Sequence, residues 1–266
     1  MNQTNEFVRT GFATLDNILG GGLRRGELTI LGASEARGKT SLSLRIVSHV
    51  VLAAKQPVLI FSLKLSRHAV MERLIAYRVR LNPADIHSGH FDQKKWPALK
   101  RAATLYSKAP LYIVDRKKKN VSDVLKISAR LSKAIRSFKM SLGLVIIDRL
   151  QLLRGAANVR YPNRQSEVDD ILRDLNSLAS QFNIGVLLLS RIPGQPRSDT
   201  WSSSQITVGL NDSGITEDHF DNAILVHRGD ADHSRKKARL FVSRRPIRGL
   251  RHCDVRFDPS TGLFCN

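Results

Sequence analysis

The fold class of this chain is decided by the stretch Gly32-Ala-Ser-Glu-Ala-Arg-Gly-Lys-Thr-Ser41. It follows the apolar segment Glu27-Leu-Thr-Ile-Leu31, which predicts a strand, and it leads into residues 39–54, where apolar side chains recur at helical spacing. A Gly-Lys-Thr sequence at a strand-to-helix junction lets backbone N–H groups and a helix N-terminus surround an anionic phosphate. The stretch therefore predicts a phosphate-binding loop. Its predicted contact residues are Ala33, Ser34, Glu35, Ala36, Arg37, Gly38, Lys39, Thr40 and Ser41.

Two side chains of this loop and one distant carboxylate have predicted roles toward a nucleotide. Lys39 would reach the β- and γ-phosphates, and the Thr40 hydroxyl would bind Mg²⁺. Asp148 ends the apolar segment Leu144-Val-Ile-Ile, and a strand-terminal aspartate of this kind holds Mg²⁺ in phosphate-loop enzymes. Thr40 and Asp148 are therefore the predicted metal-binding pair. Ala33 occupies the place of the first glycine in the usual phosphate-loop pattern.

The composition predicts one large α/β domain without a membrane segment. The chain has 266 residues, of which 42% are hydrophobic, enough to bury a full core. We expect an N-terminal tail over residues 1–9 and a single domain over residues 10–266. No apolar run is long enough for a transmembrane helix, and the first residues lack the profile of a signal peptide. We therefore expect no membrane partner. Cys253 and Cys265 form no metal-binding pattern, which favours a reduced, cytoplasmic setting.

The net charge predicts a polyanionic partner. The 43 Lys and Arg residues against 23 Asp and Glu residues give a formal charge of +20. Such an excess attracts polyanions over a long range, and nucleic acid is the commonest of them. A solvated basic surface or an acidic protein partner is the alternative. The basic residues cluster at 116–119, 235–239 and 244–251, which favours a binding surface.

Strands and helices are predicted to alternate along the chain, which indicates a parallel sheet covered on both faces. Besides the two segments around the loop, the predicted strands are residues 57–63, 111–114, 144–148, 185–190, 223–227, 238–243 and 253–257. The other predicted helices are residues 67–80, 94–107, 121–139 and 165–182. The helix at 121–139 is predicted to bury one stripe of Val121, Val124, Ile127, Leu131, Ile135 and Phe138. Residues 192–216, rich in Pro, Gly, Ser, Thr, Asn and Asp, are predicted to form a long loop.

Several blocks of the chain resemble the RecA-like C-terminal ATPase domain of the DnaB-type replicative DNA helicases. The matching blocks are Thr10-Gly-Phe-Ala-Thr-Leu-Asp16, the loop through Thr40, Pro57-Val-Leu-Ile-Phe-Ser-Leu63, Ser88-Gly-His-Phe-Asp92 with Trp96, Ile147-Asp-Arg-Leu-Gln-Leu152, Leu189-Ser190, and Leu210-Asn-Asp-Ser-Gly214 with Glu217 and Asp221. In that family an alanine at position 33 is usual. The resemblance implies an α/β RecA-like fold with a mostly parallel twisted sheet, and a phosphate-loop NTPase that uses ATP and Mg²⁺ in DNA replication.

The resemblance also implies partners. These are single-stranded DNA, a homo- or hetero-hexamer and other replication proteins. One family loop that holds the DNA backbone corresponds to Leu210–Thr216, so Asn211, Ser213 and Gly214 are predicted to contact DNA. Asn211 replaces an arginine of the family, and the backbone N–H groups of Ser213 and Gly214 are predicted to bind phosphates. An ordinary turn is the alternative for this segment. The sequence also leads us to expect that the family's N-terminal primase-contacting domain and linker helix are missing, which would weaken ring formation.

Three residues depart from the family's catalytic pattern. Lys64 stands where the family has the glutamate that activates water, Arg191 where it has a γ-phosphate-sensing glutamine, and Arg149 where it has a tyrosine. An ammonium group cannot accept a proton from water, and the loss of a positioned base costs about 10²–10⁴-fold in rate. The alternative is that Glu35 or a neighbouring subunit supplies the carboxylate. We also hypothesise that Glu35 and Lys64 form an ion pair in the empty site.

Arg244 and Arg245 are the predicted arginine finger that the family donates to an adjacent subunit. A finger acting within its own chain and an arginine facing DNA are the alternatives. Three functions follow from these observations: an ATP-driven DNA helicase domain, a hydrolysis-deficient relative that acts as regulator, loader or subunit of a helicase assembly, and a RecA- or KaiC-like recombination or signalling ATPase. The Asp148-Arg-Leu-Gln151 and Ser88–Asp92 blocks favour the helicase branch.

Overall fold

The computed structural model describes residues 6–115, 119–193, 202–228, 236–245 and 249–265. The strands are β1 (Phe7–Val8), β2 (Leu23–Arg24), β3 (Leu28–Ala33), β4 (Val58–Ser62), β5 (Leu111–Val114), β6 (Leu144–Asp148), β7 (Gly185–Arg191), β8 (Asn222–His227), β9 (Lys237–Arg244), β10 (Arg251–Asp258) and β11 (Leu263–Cys265). The helices are α1 (Ala13–Ile18), α2 (Lys39–Leu52), α3 (Arg67–Val79), α4 (Pro83–Ser88), α5 (Trp96–Ser107), α6 (Val121–Arg136), α7 (Arg164–Phe182) and α8 (Ser203–Asn211). Short 3₁₀ turns lie at Gln93–Lys95, Leu150–Leu152 and Glu217–His219.

Nine strands form one sheet in the order β11-β10-β9-β8-β3-β7-β6-β4-β5. The strands from β8 to β5 are parallel, while β9, β10 and β11 extend the sheet with antiparallel pairs. The predicted RecA-like α/β fold is therefore confirmed as a mixed, mostly parallel sheet. The carboxyl ends of β3, β7, β6 and β4 meet at one edge, where ligands bind in sheets of this type.

Two hydrophobic cores lie on opposite faces of this sheet. Alternate residues of β3 divide between them: Leu31 and Ala33 belong to the core under α2 and α3, and Leu28 and Ile30 to the core under α6 and α7. Strands that are buried on both faces explain the continuous apolar runs of the sequence. Each core anchors the base of the loop that follows β3.

The helix predicted at 121–139 differs from α6 in its end and in its buried face. The structure buries Val121, Val124 and Ile135, but Phe138 lies beyond the last turn and its side chain is 73% exposed. The centre of the buried face is taken by Ser128 and Ser132 instead of Ile127 and Leu131, which are half-buried. Small side chains allow α6 to approach the sheet closely, and an apolar stripe alone does not reveal this.

The long loop predicted at 192–216 is wrong over residues 203–211, which form α8. Ser202 caps this helix in a reciprocal capping box with Gln205, and Ile206 and Leu210 are buried in the core. Residues 194–201 lie outside the described residues. At the N-terminus, Phe7–Val8 pairs with β2 and Val8 is buried, whereas residues 1–9 were expected to form a tail. Within the described ranges, no helix is both long and apolar enough to cross a membrane.

Candidate nucleotide-binding site

The predicted phosphate-binding loop joins β3 to the first residue of α2. Gly38 is the N-cap of α2, with a φ of 97°, and no side chain caps the helix. A Cβ atom at this position would lie 2.7 Å from the ring of Phe264, so glycine is required both by backbone conformation and by space. The first N–H groups of α2 have no partner within the helix and, together with the helix dipole, favour an anion at this end.

Lys39 spans the interior of the loop. Its Nζ donates hydrogen bonds to the carbonyl oxygens of Ala33 at 2.7 Å and Ser34 at 2.8 Å. Burial, reinforced by the nearby Arg149 cation, lowers the pKa of Lys39 to about 8. In this structure the lysine charge therefore stabilises the loop itself.

Thr40 and Asp148, the predicted metal-binding pair, are in direct contact. The Thr40 hydroxyl donates a hydrogen bond of 2.7 Å to Oδ2 of Asp148, which ends β6. Asp148 is buried, and this burial raises its pKa despite the Thr40 bond and the surrounding cations. Hydroxyl and carboxylate oxygens are ligands that Mg²⁺ accepts, and a Mg²⁺ ion here would complete its shell with phosphate and water oxygens. No cluster of three or more His, Cys, Asp or Glu side chains suited to a metal occurs among the described residues.

A cavity of about 240 Å³ lies in front of the loop and is strongly cationic. We call it the loop cavity; its walls are residues 35–41 with Lys64, Arg73, Asp148 and Arg149. Five of these side chains are Lys or Arg, and only Glu35 and Asp148 are carboxylates. This excess of positive charge matches a polyphosphate. A second cavity of about 310 Å³ shares Ser41 and Arg73 with it and is also lined by Tyr77, Pro83 and Pro259.

The hypothesised ion pair between Glu35 and Lys64 is wrong. Glu35 instead lies 3.7 Å from Nη1 of Arg149 and 3.7 Å from Nη1 of Arg191. The strand order gives the reason. Arg191 ends β7, the strand next to β3, and pairs in register with Ala33 of β3. Lys64 follows β4, which lies three strands from β3, so the ends of these two strands are roughly 14 Å apart. Lys64 is exposed at the mouth of the loop cavity and forms no ion pair within the described part of the chain.

Arg191 is also the centre of a backbone network that sequence reasoning missed. Its N–H donates to Oε1 of Gln151 at 3.1 Å, and Nε2 of Gln151 donates to Oγ of Ser190 at 2.9 Å. Its carbonyl oxygen accepts a hydrogen bond of 2.8 Å from Oγ of Ser213. Gln151 lies in the family-like block Ile147–Leu152, but nothing in the sequence assigned it a contact with Arg191. The network joins the site to the turn after α8.

The structure changes the expectation for the predicted DNA contacts in this turn. The N–H of Ser213 donates to the carbonyl of Leu210 at 2.9 Å, and the N–H of Gly214 to that of Asn211 at 2.8 Å. These two backbone donors are used inside the turn, so they are not free for phosphates as predicted. Asn211 ends α8 and is exposed, so side-chain contact with DNA stays a prediction.

Arg244 and Arg245 lie at the end of the sheet opposite the loop, level with the amino ends of the parallel strands. Arg244 pairs in register with Asn222, and Asn222 pairs with Thr29 near the start of β3. Nη1 of Arg245 donates to the carbonyl of Asp218 at 2.7 Å. A finger acting within its own chain is therefore excluded by geometry, while a finger donated to another subunit stays a prediction. Of the three basic clusters, residues 116–118, 235 and 246–248 lie outside the described residues.

The nine-stranded, mostly parallel sheet has the RecA-like fold, and it carries a phosphate-loop site: a left-handed glycine before α2, a lysine inside the loop and a threonine bonded to a strand-terminal aspartate. The comparisons give the family. The sequence profile of the DnaB-like helicase C-terminal domain matches residues 8–266, so the chain belongs to that family. The resemblance stated from the sequence is thereby confirmed.

Curated relatives and solved structures agree with this assignment. The replicative DNA helicase DnaB of Geobacillus stearothermophilus is 30% identical over 225 residues, which are 84% of this chain and 47% of the relative. DnaB of Treponema pallidum is 27% identical over 97% of this chain and 55% of its own length. The chain spans about half the length of these relatives. One solved structure, described as an ATPase domain, has a TM-score of 0.84 at 21% identity, covering 100% of this chain and 93% of that one. A DnaB-like replicative helicase solved to study its interactions with primase has a TM-score of 0.83 at 22% identity, covering 98% and 62%.

Proposed function

We propose that this chain binds Mg-ATP at the loop cavity and single-stranded DNA on its basic surface, as a slowly hydrolysing subunit of a replicative helicase assembly. The observation that supports it most is the combination of an intact binding apparatus with a missing base. Lys39, Thr40 and Asp148 have the arrangement that holds a nucleotide and its metal. A cation, Lys64, occupies the position of the water-activating glutamate.

The two carboxylates of the loop cavity are poor substitutes for that glutamate. Asp148 accepts the Thr40 hydroxyl and would hold the metal. Glu35 contacts two arginines. A general base must reach the attacking water with an available lone pair. Asp148 would be committed to the metal, and Glu35 lies on the loop after β3, three strands away from Lys64 after β4, where the missing glutamate would act. Hydrolysis slower than in a helicase with the glutamate, by about 10²–10⁴-fold, is the expected consequence.

The second cavity is the proposed place of the nucleobase. It adjoins the loop cavity through Ser41 and Arg73, and the ring of Tyr77 and the prolines at 83 and 259 supply apolar walls. Nucleotide sites combine such walls for the base with charged groups for the phosphates. Bound Mg²⁺ would neutralise phosphate charge next to Thr40 and Asp148.

Action within an assembly is supported by the position of the exposed arginines. Arg244 and Arg245 lie too far from their own loop to serve it, so they could complete only the site of a neighbouring subunit. We propose a homo- or hetero-hexamer, with other replication proteins as further partners. The charge of +20 supports DNA as the polyanion.

ATP binding and ATP hydrolysis, each with and without single-stranded DNA, test this function. Wild type is compared with Lys39→Ala and Lys64→Glu. We expect wild type to bind ATP, Lys39→Ala to lose binding, and Lys64→Glu to raise turnover. A wild type that hydrolyses ATP rapidly, is stimulated by DNA and is slowed by Lys64→Glu would be a working helicase motor with a relocated base. A wild type that binds no nucleotide would refute the proposal.

A further inference from the structure

Glu35 is the one carboxylate in the phosphate-binding loop, residues 33–41, and its two oxygens contact two different arginines. Oε1 lies 3.7 Å from Nη1 of Arg149, and Oε2 lies 3.7 Å from Nη1 of Arg191. The Glu35 carboxylate places a negative charge between two guanidinium groups at the end of the sheet, where a phosphate bound by the same groups would also place one. The loop thus carries an anion of its own beside the place where it would bind one.

The two arginines are positioned by the fold and not by Glu35. Arg149 follows β6 directly and Arg191 ends β7, so both side chains start at the carboxyl edge of the sheet. The Arg149 side chain is only 19% exposed, and its Nε is buried with no hydrogen-bond partner among the described residues. A buried donor without a partner is unfavourable, and a ligand with several acceptor oxygens would satisfy it.

Lys39 shows the same self-contained arrangement. Its ammonium group donates to two carbonyl oxygens of the loop, although a phosphate is the ligand for which this residue type is placed. The cations in and beside the loop therefore have internal partners in this structure: Lys39 donates to carbonyl oxygens, and Arg149 and Arg191 each form an ion pair with Glu35. A bound nucleotide would have to replace each of these interactions.

We propose that Glu35 is an internal competitor of the terminal phosphate and determines how strongly this site distinguishes a nucleoside triphosphate from a diphosphate. This rests on the proposed function, namely nucleotide binding at the loop cavity. The Glu35 carboxylate holds Arg149 and Arg191 when no terminal phosphate is present, and yields them when one is. A diphosphate leaves the Glu35 contacts in place. Arg149, which lines the loop cavity, thereby becomes a triphosphate-sensing residue, and Arg191 lies beside it on the other oxygen of Glu35.

The test is equilibrium binding of a fluorescent non-hydrolysable ATP analogue and of the matching ADP analogue to the full chain, with Glu35→Gln as the variant. Removal of the competing charge should tighten binding of the triphosphate about three- to tenfold, the range expected for two partly exposed ion pairs. Binding of the diphosphate should change by less than about twofold, since no terminal phosphate competes with Glu35. The readout is the ratio of the two dissociation constants.

Glu6→Gln is a matched control. The Glu6 side chain is 57% exposed against 59% for Glu35, it also pairs with an arginine, Arg24, and it lies beyond the amino end of β3 at the far edge of the sheet. Glu6→Gln removes the same charge far from the loop, so the ratio of the two dissociation constants should stay unchanged. In an Arg191→Gln background, Glu35→Gln should have a smaller effect, because one of the two pairs is already absent.

The outcomes separate this inference from the proposed function. If wild type binds nucleotide in a Lys39-dependent way but Glu35→Gln changes both affinities equally, or weakens the triphosphate, the inference fails and the function stands. If neither wild type nor Glu35→Gln binds either analogue, both fail. A rise in the ratio that Glu6→Gln reproduces would reduce the effect to net charge and would also overturn the inference. Thermal unfolding of each variant checks that folding is intact.

Discussion

Oγ of Ser213 donates a hydrogen bond of 2.8 Å to the backbone carbonyl of Arg191, and this bond connects the turn after α8 to the strand end beside the phosphate-binding loop. Arg191 pairs in register with Ala33, the first residue of that loop. We expect a displacement of Arg191 to reach Ser213 through one hydrogen bond and Gln151 through another. The predicted DNA-contacting segment is thus hydrogen-bonded to the backbone of the residue whose side chain contacts Glu35.

Ser213→Ala should reduce the dependence of DNA binding on nucleotide. The variant removes the hydroxyl that joins the turn to Arg191, together with its alternative bond to the carbonyl of Gly209, and leaves the turn's backbone hydrogen bonds in place. The difference in affinity for single-stranded DNA with and without an ATP analogue should shrink by up to about fivefold, which corresponds to one hydrogen bond. Fluorescence anisotropy of a labelled oligonucleotide measures it.

Ser180→Ala serves as the control for this variant. Ser180 lies on α7, and among the described residues its Oγ donates to the carbonyl of Ser177 alone, so the same atom is removed away from the site. ATP affinity itself should change little in either variant, because Ser213 does not line the loop cavity. An unchanged nucleotide effect in Ser213→Ala would show that the two sites are coupled by another route, or not coupled.

Gly38→Ala should lower the free energy of unfolding and abolish nucleotide binding. The new Cβ would adopt a left-handed φ of 97° and lie 2.7 Å from the ring of Phe264. Strain and overlap together should cost about 2–4 kcal/mol. Thermal or urea unfolding measures the loss of stability.

Gly89→Ala separates backbone strain from steric overlap. Gly89 also has a positive φ, of 74°, but no atom lies within 4 Å of a Cβ placed there. Its cost should be that of strain alone, about 1–2 kcal/mol, with nucleotide binding preserved. Equal losses of stability in the two variants would mean that Phe264 moves aside and that packing does not require glycine at position 38.

The sequence was sufficient to predict those parts of the site that are local along the chain. The loop between β3 and α2, the lysine within it and the aspartate at the end of β6 each follow from a short pattern and its flanks. The partner of Glu35 was not predictable in this way, because it depends on β7 lying beside β3 while β4 lies three strands away. Crossover connections determine that order, and a single sequence does not reveal it.

Helix α8 was missed by the sequence-based prediction for a different reason. The segment at 192–216 is rich in turn-forming residues, and only a few apolar side chains face the core. The signal that could have predicted the helix is the spacing of Ser202 and Gln205, a capping box that is satisfied in the structure. For Arg244 and Arg245, no local pattern reveals that an antiparallel β9 places its last residue at the edge opposite the loop.

Affinity for single-stranded DNA should fall steeply with salt. The chain carries 43 basic and 23 acidic residues, so contact with the phosphate backbone should dominate binding. Neutralising about five phosphates would give a slope of about −3.5 for the logarithm of the association constant against the logarithm of salt concentration. Titrations with oligonucleotides of different sequence should give the same slope. A flat salt dependence would exclude the polyanion interpretation of the charge.

Nucleotide affinity should decrease as the pH rises above about 8, because Lys39 loses its charge there. Burial and the Arg149 cation lower the pKa of Lys39 to about 8 in the ligand-free protein, whereas a bound phosphate favours the charged form. Above that pH, binding must therefore take up a proton, and affinity should fall by up to about tenfold per pH unit. The phosphates themselves, with a second pKa of about 6, do not titrate in this range.

The control for this prediction is Lys39→Arg. Its guanidinium stays charged, so affinity, whatever its absolute value, should be independent of pH from about 7 to 9.5. Binding of the ATP analogue across that range measures both slopes, and equal slopes in the two proteins would place the titrating group elsewhere.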